Sequence, residues 1–234
     1  MQCSLYGKLP AKRDFIAIGA PREFLNAWEP WLQGAMSASR TSLGSRWQPA
    51  FLTAPFWRFW LGADICGRSV IGALMSSLDG VGRYFPLTLF ACADDNAAIP
   101  PPELDSQDGW FDAAEAFLMA TLDHDAKFED ITAGLGALPP PFQEFPNSPQ
   151  QQSPAPDIDH DNFGTKLIPA RGRSFSELFG SIRVRTHAGI YAGSTFWWTV
   201  GGEGIAPAAL SGKGMPDPFL FSVMLTGEPV EAPI

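Results

Sequence analysis

The chain has 234 residues, of which 45% are hydrophobic and 18% charged, a composition typical of a single folded domain with one large core. Its formal net charge of -9 would repel a phosphate backbone or an anionic membrane, so nucleic acid is not an expected partner. No apolar run is long enough for a signal peptide or a membrane span, which predicts a cytoplasmic protein without membrane insertion.

The cysteines Cys3, Cys66 and Cys92 are odd in number and widely spaced. This pattern favours buried thiols in a reducing compartment over a disulfide scaffold. One disulfide among them remains compatible with the sequence.

The first predicted elements are a short strand at Leu5-Tyr6 and a long helix that begins near Pro21. Pro30 should kink or split that helix, because proline lacks the N–H that a helix interior uses. Three- and four-residue spacing predicts a core-facing stripe formed by Phe24, Trp28, Trp31 and Ala35.

Strand signals begin after Pro55. Residues 56–61 and 70–75 read as the two strands of a hairpin, with a glycine-bounded turn over 62–67. Residues 85–93 form a continuous apolar run, which is typical of a strand covered on both faces. Helices are therefore predicted on each side of the sheet.

Two helices are predicted next, over about 106–122 and from Phe128 to Leu138, and the three prolines at 139–141 end the second. Asp108 and Asp112 favour the start of the first. Its apolar face carries Trp110, Ala114, Phe117, Leu118 and Thr121. Proline-rich residues at about 139–165 predict a surface excursion within one domain that spans 1–234.

The last third returns to ordered patterns. Ser174 and Glu177 resemble a capping box, and residues 195–200 are rich in strand formers. An alternating strand pattern is carried by Ile182, Val184 and Thr186. A closing helix after Pro218 is predicted to face the core with Phe219, Leu220, Val223 and Met224.

One short segment, residues 74–87, places Asp79 and Arg83 beside Gly80 and Gly82 between apolar runs. The glycines allow a tight turn, so the two charges can meet as a hydrogen-bonded ion pair. The pair is either a structural staple or a binding or catalytic pair. If Arg83→Ala left Asp79 buried alone, the variant would lose about 3 to 5 kcal/mol of stability.

Sequence signatures of catalysis are absent. Gly212-Lys213 lacks the other residues of a phosphate-binding loop, and Ser194 lies in no Gly-x-Ser-x-Gly elbow. His124 has Asp123 and Asp125 beside it, but adjacent residues on a helix point in different directions rather than converging on a metal. The sequence therefore predicts no catalytic residue, no metal and no cofactor.

Several motifs nevertheless occur in a recognisable order: Gly7-Lys8-Leu9-Pro10-Ala11-Lys12 with Asp14-Phe15, Trp28 with Trp31-Leu32, Trp57-Arg58-Phe59, and Ser77-Leu78-Asp79 with Val81-Gly82-Arg83-Tyr84-Phe85-Pro86-Leu87. This order resembles the TagF (ImpM) family associated with bacterial type VI secretion. The chain departs from the family pattern at Arg13, where glycine is usual, and at Met75-Ser76-Ser77, which replaces a more usual Pro-Ser.

The resemblance implies a three-layer αβα sandwich with a central mixed sheet. It also implies a cytoplasmic, non-enzymatic accessory protein that represses type VI secretion after translation, with the forkhead-associated scaffold protein of that system as its partner. Some family members carry a fused protein phosphatase, for which this chain has neither the length nor the metal-binding aspartates.

Two functional hypotheses follow. The first is a protein-binding regulator, whose partner-binding or structural signature comprises Lys8, Arg13, Asp14, Ser77, Asp79 and Arg83. The second is a small-molecule sensor or enzyme with a pocket around Asp14, Asp79 and Arg83. A deep pocket at these residues would favour the second hypothesis, and a shallow surface the first.

Overall fold

A seven-stranded sheet forms the centre of the molecule. The structure is a computed structural model that describes residues 1–95, 97–123, 125–141, 180, 183 and 186–228. The strands are β1 (Cys3–Gly7), β2 (Ile16–Ile18), β3 (Trp57–Leu61), β4 (Val70–Met75), β5 (Leu87–Cys92), β6 (Ser194–Thr199) and β7 (Ala208–Lys213). Their order across the sheet is β2-β1-β5-β4-β3-β6-β7.

The helices cover both faces of this sheet. They are α1 (Arg22–Leu43), α2 (Trp47–Thr53), α3 (Ala63–Cys66), α4 (Asp108–Ala120), α5 (Phe128–Ala137) and α6 (Leu220–Thr226), with a 3-10 turn at Gly44–Arg46. One core lies between the sheet and the α1, α2 and α6 side, and the other lies between the sheet and α4 and α5. The predicted three-layer α/β sandwich is therefore confirmed.

The sheet itself differs from the prediction in one respect. Every pairing between neighbouring strands that the structure describes is antiparallel, so the sheet is not mixed. A hairpin joins β3 to β4 with α3 in its connection, and residues 76–86 join β4 to β5, because antiparallel neighbours need no long crossover. A buried apolar run does not distinguish a parallel from an antiparallel strand, because both faces of either kind of sheet can be covered by helices.

Helix α1 supplies the aromatic stripe that its sequence predicts. Its members are fully or almost fully buried: Phe24, Trp28, Trp31 and Ala35. Trp28 stacks on Trp197 of β6 with 5.7 Å between ring centroids. Pro30 does not split the helix, since α1 runs unbroken from Arg22 to Leu43. Pro30 is on the exposed side of the helix. It has no N–H to donate to the carbonyl of Asn26, and water can solvate that carbonyl instead.

Two predictions in the last third are wrong. Residues 186–190 are helical rather than extended, and the N–H of Tyr191 donates to the carbonyl of His187 in helical spacing. Six residues of alternating polarity carry too little information to exclude a helix. In the closing helix, Phe219 is 56% exposed, and the inward residues are Phe221, Met224 and Leu225. The helix begins at Leu220, and of the predicted stripe only Met224 is buried.

Some predictions fall outside the described residues: the capping box at Ser174 and Glu177, Ile182, Val184, and most of the proline-rich excursion. Within the parts of the chain that the structure describes, no helix is long and apolar enough to cross a membrane.

Candidate functional site

Asp79 lies in the turn that connects β4 to β5. Its backbone N–H donates to the carbonyl of Arg83 at 3.1 Å, and the N–H of Gly82 donates to the carbonyl of Asp79 at 2.9 Å. Gly82 has φ 85°, a left-handed conformation that glycine adopts without a steric cost. The predicted role of the glycines in a tight turn is confirmed at Gly82.

The carboxylate of Asp79 is fully buried and accepts four hydrogen bonds. Its Oδ2 accepts from Lys8 Nζ at 2.9 Å and from Arg83 Nε at 2.7 Å. Its Oδ1 accepts from the backbone N–H of Arg83 at 2.9 Å and of Val81 at 3.1 Å. Lys8, Asp79 and Arg83 are hereafter the Asp79 cluster. The predicted Asp79/Arg83 pair thus exists, with Lys8 as a second cation.

The electrostatics of the cluster favour the ionised carboxylate. Burial by itself would raise the pKa of Asp79, because it disfavours the charged form. The hydrogen bonds from Lys8, Arg83 and Val81 outweigh burial and hold that pKa well below its usual range. The Asp79 carboxylate is therefore ionised at neutral pH.

Burial differs sharply between the two cations. The Lys8 side chain is only 8% exposed, whereas that of Arg83 is 59% exposed. Removal of Arg83 would leave Asp79 with Lys8 and two backbone donors. Arg83→Ala would lose about 3 to 5 kcal/mol of stability only if it left the Asp79 carboxylate buried without a partner. Because Lys8 remains, the expected loss is smaller.

The loop after β1 is attached to the same turn. The N–H of Gly80 donates to the carbonyl of Lys12 at 2.8 Å, and the guanidinium of Arg83 donates to the carbonyl of Arg13. A Cβ at position 80 would lie 2.8 Å from the carbonyl oxygen of Pro10, so the close approach requires glycine. The two motif segments meet because β1 and β5 are antiparallel neighbours.

An exposed surface surrounds the cluster. Phe15 is 52% exposed, and its ring contacts Phe85 at 4.7 Å between centroids. Val81 is 56% exposed, and Arg13 and Asp14 are also exposed. The predicted site residues Lys8, Arg13, Asp79 and Arg83 are thus brought together at one end of the sheet.

The remaining two predicted residues have less defined positions in the site. Asp14 forms no hydrogen bond or ion pair with any residue that the structure describes. Ser77 is buried, and its hydroxyl has no partner among the described residues, although its carbonyl accepts from the N–H of Phe85 at 3.0 Å. Asp79 is completely buried, whereas Asp14 and Arg83 are exposed, so of these three residues only Asp14 and Arg83 are accessible to a ligand.

A shallow groove lies beside the cluster, between α1 and the segment from Arg83 to Phe85. Its volume is about 610 Å³, and it is open to solvent. The groove, hereafter the basic groove, is lined by Lys8, Gln33, Met36, Ser37, Arg40, Thr41, Arg83, Tyr84 and Phe85. Sequence reasoning missed its α1 wall, since Arg40 and Tyr84 come together only in the folded chain.

Sequence reasoning also missed a second charged cluster on the opposite face of the sheet. Arg58 of β3 has a side chain only 6% exposed, and its guanidinium reaches Glu115 at 2.6 Å, Asp112 at 3.2 Å and Asp108 at 3.3 Å. It also lies 5.0 Å from the centre of the Phe111 ring. A signal was present, because Arg58 is the only charge within the apolar run 56–61, and a buried charge must be paired.

The cysteines are unpaired, and burial suppresses the reactivity of two of them. All three thiols are free. Burial raises the pKa of Cys66 to about 11 and that of Cys92 to about 12. Both thiols are protonated at neutral pH, and the thiolate is the reactive form. The described residues hold no cluster of His, Cys, Asp and Glu side chains that could bind a metal ion.

The fold and the Asp79 cluster together define an α/β sandwich with a charged turn at one end of its sheet. The family model of the TagF N-terminal domain, described as type VI secretion system-associated, matches residues 4–138. This chain therefore belongs to the TagF family of type VI secretion-associated proteins.

A solved structure supports the same assignment over the whole chain. The crystal structure of PA0076 from Pseudomonas aeruginosa PAO1 matches with a TM-score of 0.76 and 30% sequence identity. The match covers 100% of this chain and 98% of that one. A search among curated proteins gave no significant match.

Proposed function

We propose that this protein is a non-enzymatic, cytoplasmic accessory protein of bacterial type VI secretion that represses the apparatus after translation through protein–protein interaction. The proposed partner is the forkhead-associated scaffold protein of the same system. Membership of the TagF family is the observation that carries the proposal, because it associates the chain with type VI secretion.

The exposed surface around the Asp79 cluster supports a binding role. Binding surfaces on proteins are commonly loops held in place by a rigid scaffold. Here Arg83 is 59% exposed while its partner Asp79 is buried, so the guanidinium is both positioned and accessible. Phe15 and Val81 add exposed apolar area beside it. Arginine and aromatic side chains contribute strongly to protein interfaces.

A binding assay tests the proposal directly. The purified chain is immobilised and exposed to the scaffold protein from its own secretion cluster. We expect specific capture, reduced by Phe15→Ala together with Arg13→Ala. The matched control is Leu52→Ala together with Arg46→Ala. Both residues are exposed on the α2 side, and this double variant should bind as wild type does.

Repression is measured in cells. Deletion of the gene should raise type VI secretion without changing the transcript levels of the apparatus. Absence of scaffold binding, or unchanged secretion after deletion, would count against the proposed function.

A further inference from the structure

The basic groove has one wall formed by an exposed face of α1. Gln33, Ser37, Arg40 and Thr41 follow one another at helical spacing on this wall. The segment Arg83–Phe85 forms the opposite wall, and Lys8 also lines the groove. The groove thus continues directly from the Asp79 cluster.

The charge of the groove is opposite to that of the protein. Lys8, Arg40 and Arg83 line it, and no carboxylate is among its lining residues. Asp79 lies buried behind Lys8 and Arg83 and offsets one of these charges. The chain as a whole carries -9. A small positive surface on an acidic protein favours a ligand whose negative charge is confined to a short segment, because more extended negative charge would be repelled by the rest of the protein.

The donors in the groove are positioned and available. The guanidinium of Arg40 lies 4.4 Å from the centre of the Trp47 ring, and it forms no ion pair with the residues that the structure describes. Arg83 uses Nε for Asp79 and one further N–H for the carbonyl of Arg13, so it retains donors of its own. Two oriented guanidinium groups are suited to carboxylates, which they can bind with paired hydrogen bonds.

The hydroxyl of Tyr84 adds a neutral donor. It accepts a hydrogen bond from Gln48 Nε2 at 2.8 Å, and its own hydrogen remains available. Ser37 and Thr41 place two more hydroxyl groups on the α1 wall; the Thr41 hydroxyl donates to the carbonyl of Ser37 at 3.1 Å, and its oxygen can still accept a hydrogen bond. The groove therefore combines charge with hydrogen-bonding groups that can also engage a peptide backbone.

We propose that the basic groove binds an acidic peptide segment of a partner protein, with Arg40 and Arg83 contacting its carboxylates. This inference rests on the proposed function, since it assigns a surface and a chemistry to partner recognition. The open shape of the groove suits an extended segment better than a small molecule, which needs an enclosing pocket. Long polyanions and anionic membranes would meet the net negative charge beyond the groove and be repelled.

Fluorescence anisotropy tests the inference with a short labelled peptide of alternating Glu and Ser. The matched peptide has Gln in place of each Glu. We expect the Glu peptide to bind, the Gln peptide to bind much more weakly, and the affinity to fall as salt is raised. Arg40→Gln should weaken binding about two- to fivefold, and Arg40→Glu about tenfold or more, because reversal adds repulsion to the lost attraction.

Lys213→Glu is the matched control. Lys213 is exposed on β7, an edge strand that is not a neighbour of β4 or β5, and its reversal changes the net charge by the same amount as Arg40→Glu. We expect near wild-type binding from this variant, with circular dichroism and melting temperature confirming that both variants fold. Equal binding of the two peptides, equal losses in the two variants, or preferential binding to phosphatidylserine vesicles would overturn the inference.

The scaffold protein is then assayed with the same variants. If it binds wild type and Arg40→Glu equally, the groove is not its site and the inference is overturned, while the proposed function stands. If it binds neither, the proposed function fails, and the peptide measurement still decides whether the groove recognises acidic segments.

Discussion

Lys8 and Asp79 form a buried ion pair across 71 positions of the chain, with 2.9 Å between Nζ and Oδ2. Lys8 directly follows β1, and Asp79 lies in the turn from β4 to β5. The pair therefore ties two segments together at one end of the sheet. Arg83 completes the arrangement from the solvent side, so one carboxylate holds a buried cation and an exposed one.

Removal of the Asp79 charge should destabilise the protein strongly. Asp79→Asn leaves the Lys8 ammonium buried without a counter-charge, and the expected loss is about 3 to 5 kcal/mol in the free energy of unfolding. Urea denaturation measures this loss. Arg83→Gln is the comparison, because its exposed side chain should contribute only about 1 kcal/mol or less. Equal losses in the two variants would contradict the assignment of Lys8 as the critical partner.

The contribution of Asp79 should also depend on pH. Its pKa is lowered in the folded protein, so its stabilising effect is fully present above the unfolded pKa of about 3.9 and is lost as the pH falls below that value. The difference in unfolding free energy between wild type and Asp79→Asn should thus be constant near neutral pH and shrink on acidification below about pH 4. Denaturation series over this range test the sign, and a difference that grows in acid would refute it.

The closing helix offers a paired test of its buried face. Phe221 is 3% exposed and Phe219 is 56% exposed. Phe221→Ala should cost about 3 to 5 kcal/mol, because it removes a large side chain from the core and leaves a cavity. Phe219→Ala should change stability by about 0.5 kcal/mol or less. Thermal melts of the two variants measure both losses. A larger loss of stability in Phe219→Ala than in Phe221→Ala would support the buried face predicted from sequence.

The Arg58 cluster should show graded contributions from its carboxylates. Glu115 is 17% exposed and lies nearest to the guanidinium, whereas Asp112 is 74% exposed. Glu115→Gln should cost about 1.5 to 3 kcal/mol, as expected for a charged hydrogen bond in a partly buried site. Asp112→Asn should cost about 0.2 to 1 kcal/mol. The ranking is checked by denaturant unfolding at low and high salt, where only the Asp112 contribution should be screened appreciably.

Local sequence patterns were sufficient for most of the elements. The stripe of Phe24, Trp28 and Trp31 predicted a core-facing helix, and the apolar run 85–93 predicted a strand covered on both faces. These predictions are confirmed because the period of the hydrophobic pattern depends only on neighbours along the chain. They failed where the pattern was short, as at Thr186 and at Phe219 beside the seven-residue closing helix.

The sequence alone also determined that Asp79 and Arg83 can meet in a glycine-rich turn, since the two residues are only four positions apart and Gly82 permits the conformation. It could not identify Lys8 as the buried partner of Asp79, or unite Arg40 with Arg83 in one groove. Those relationships depend on which strands become neighbours and on where α1 packs. Only the tertiary structure decides them, because contacts between distant segments arise from burial of the whole core rather than from any local pattern.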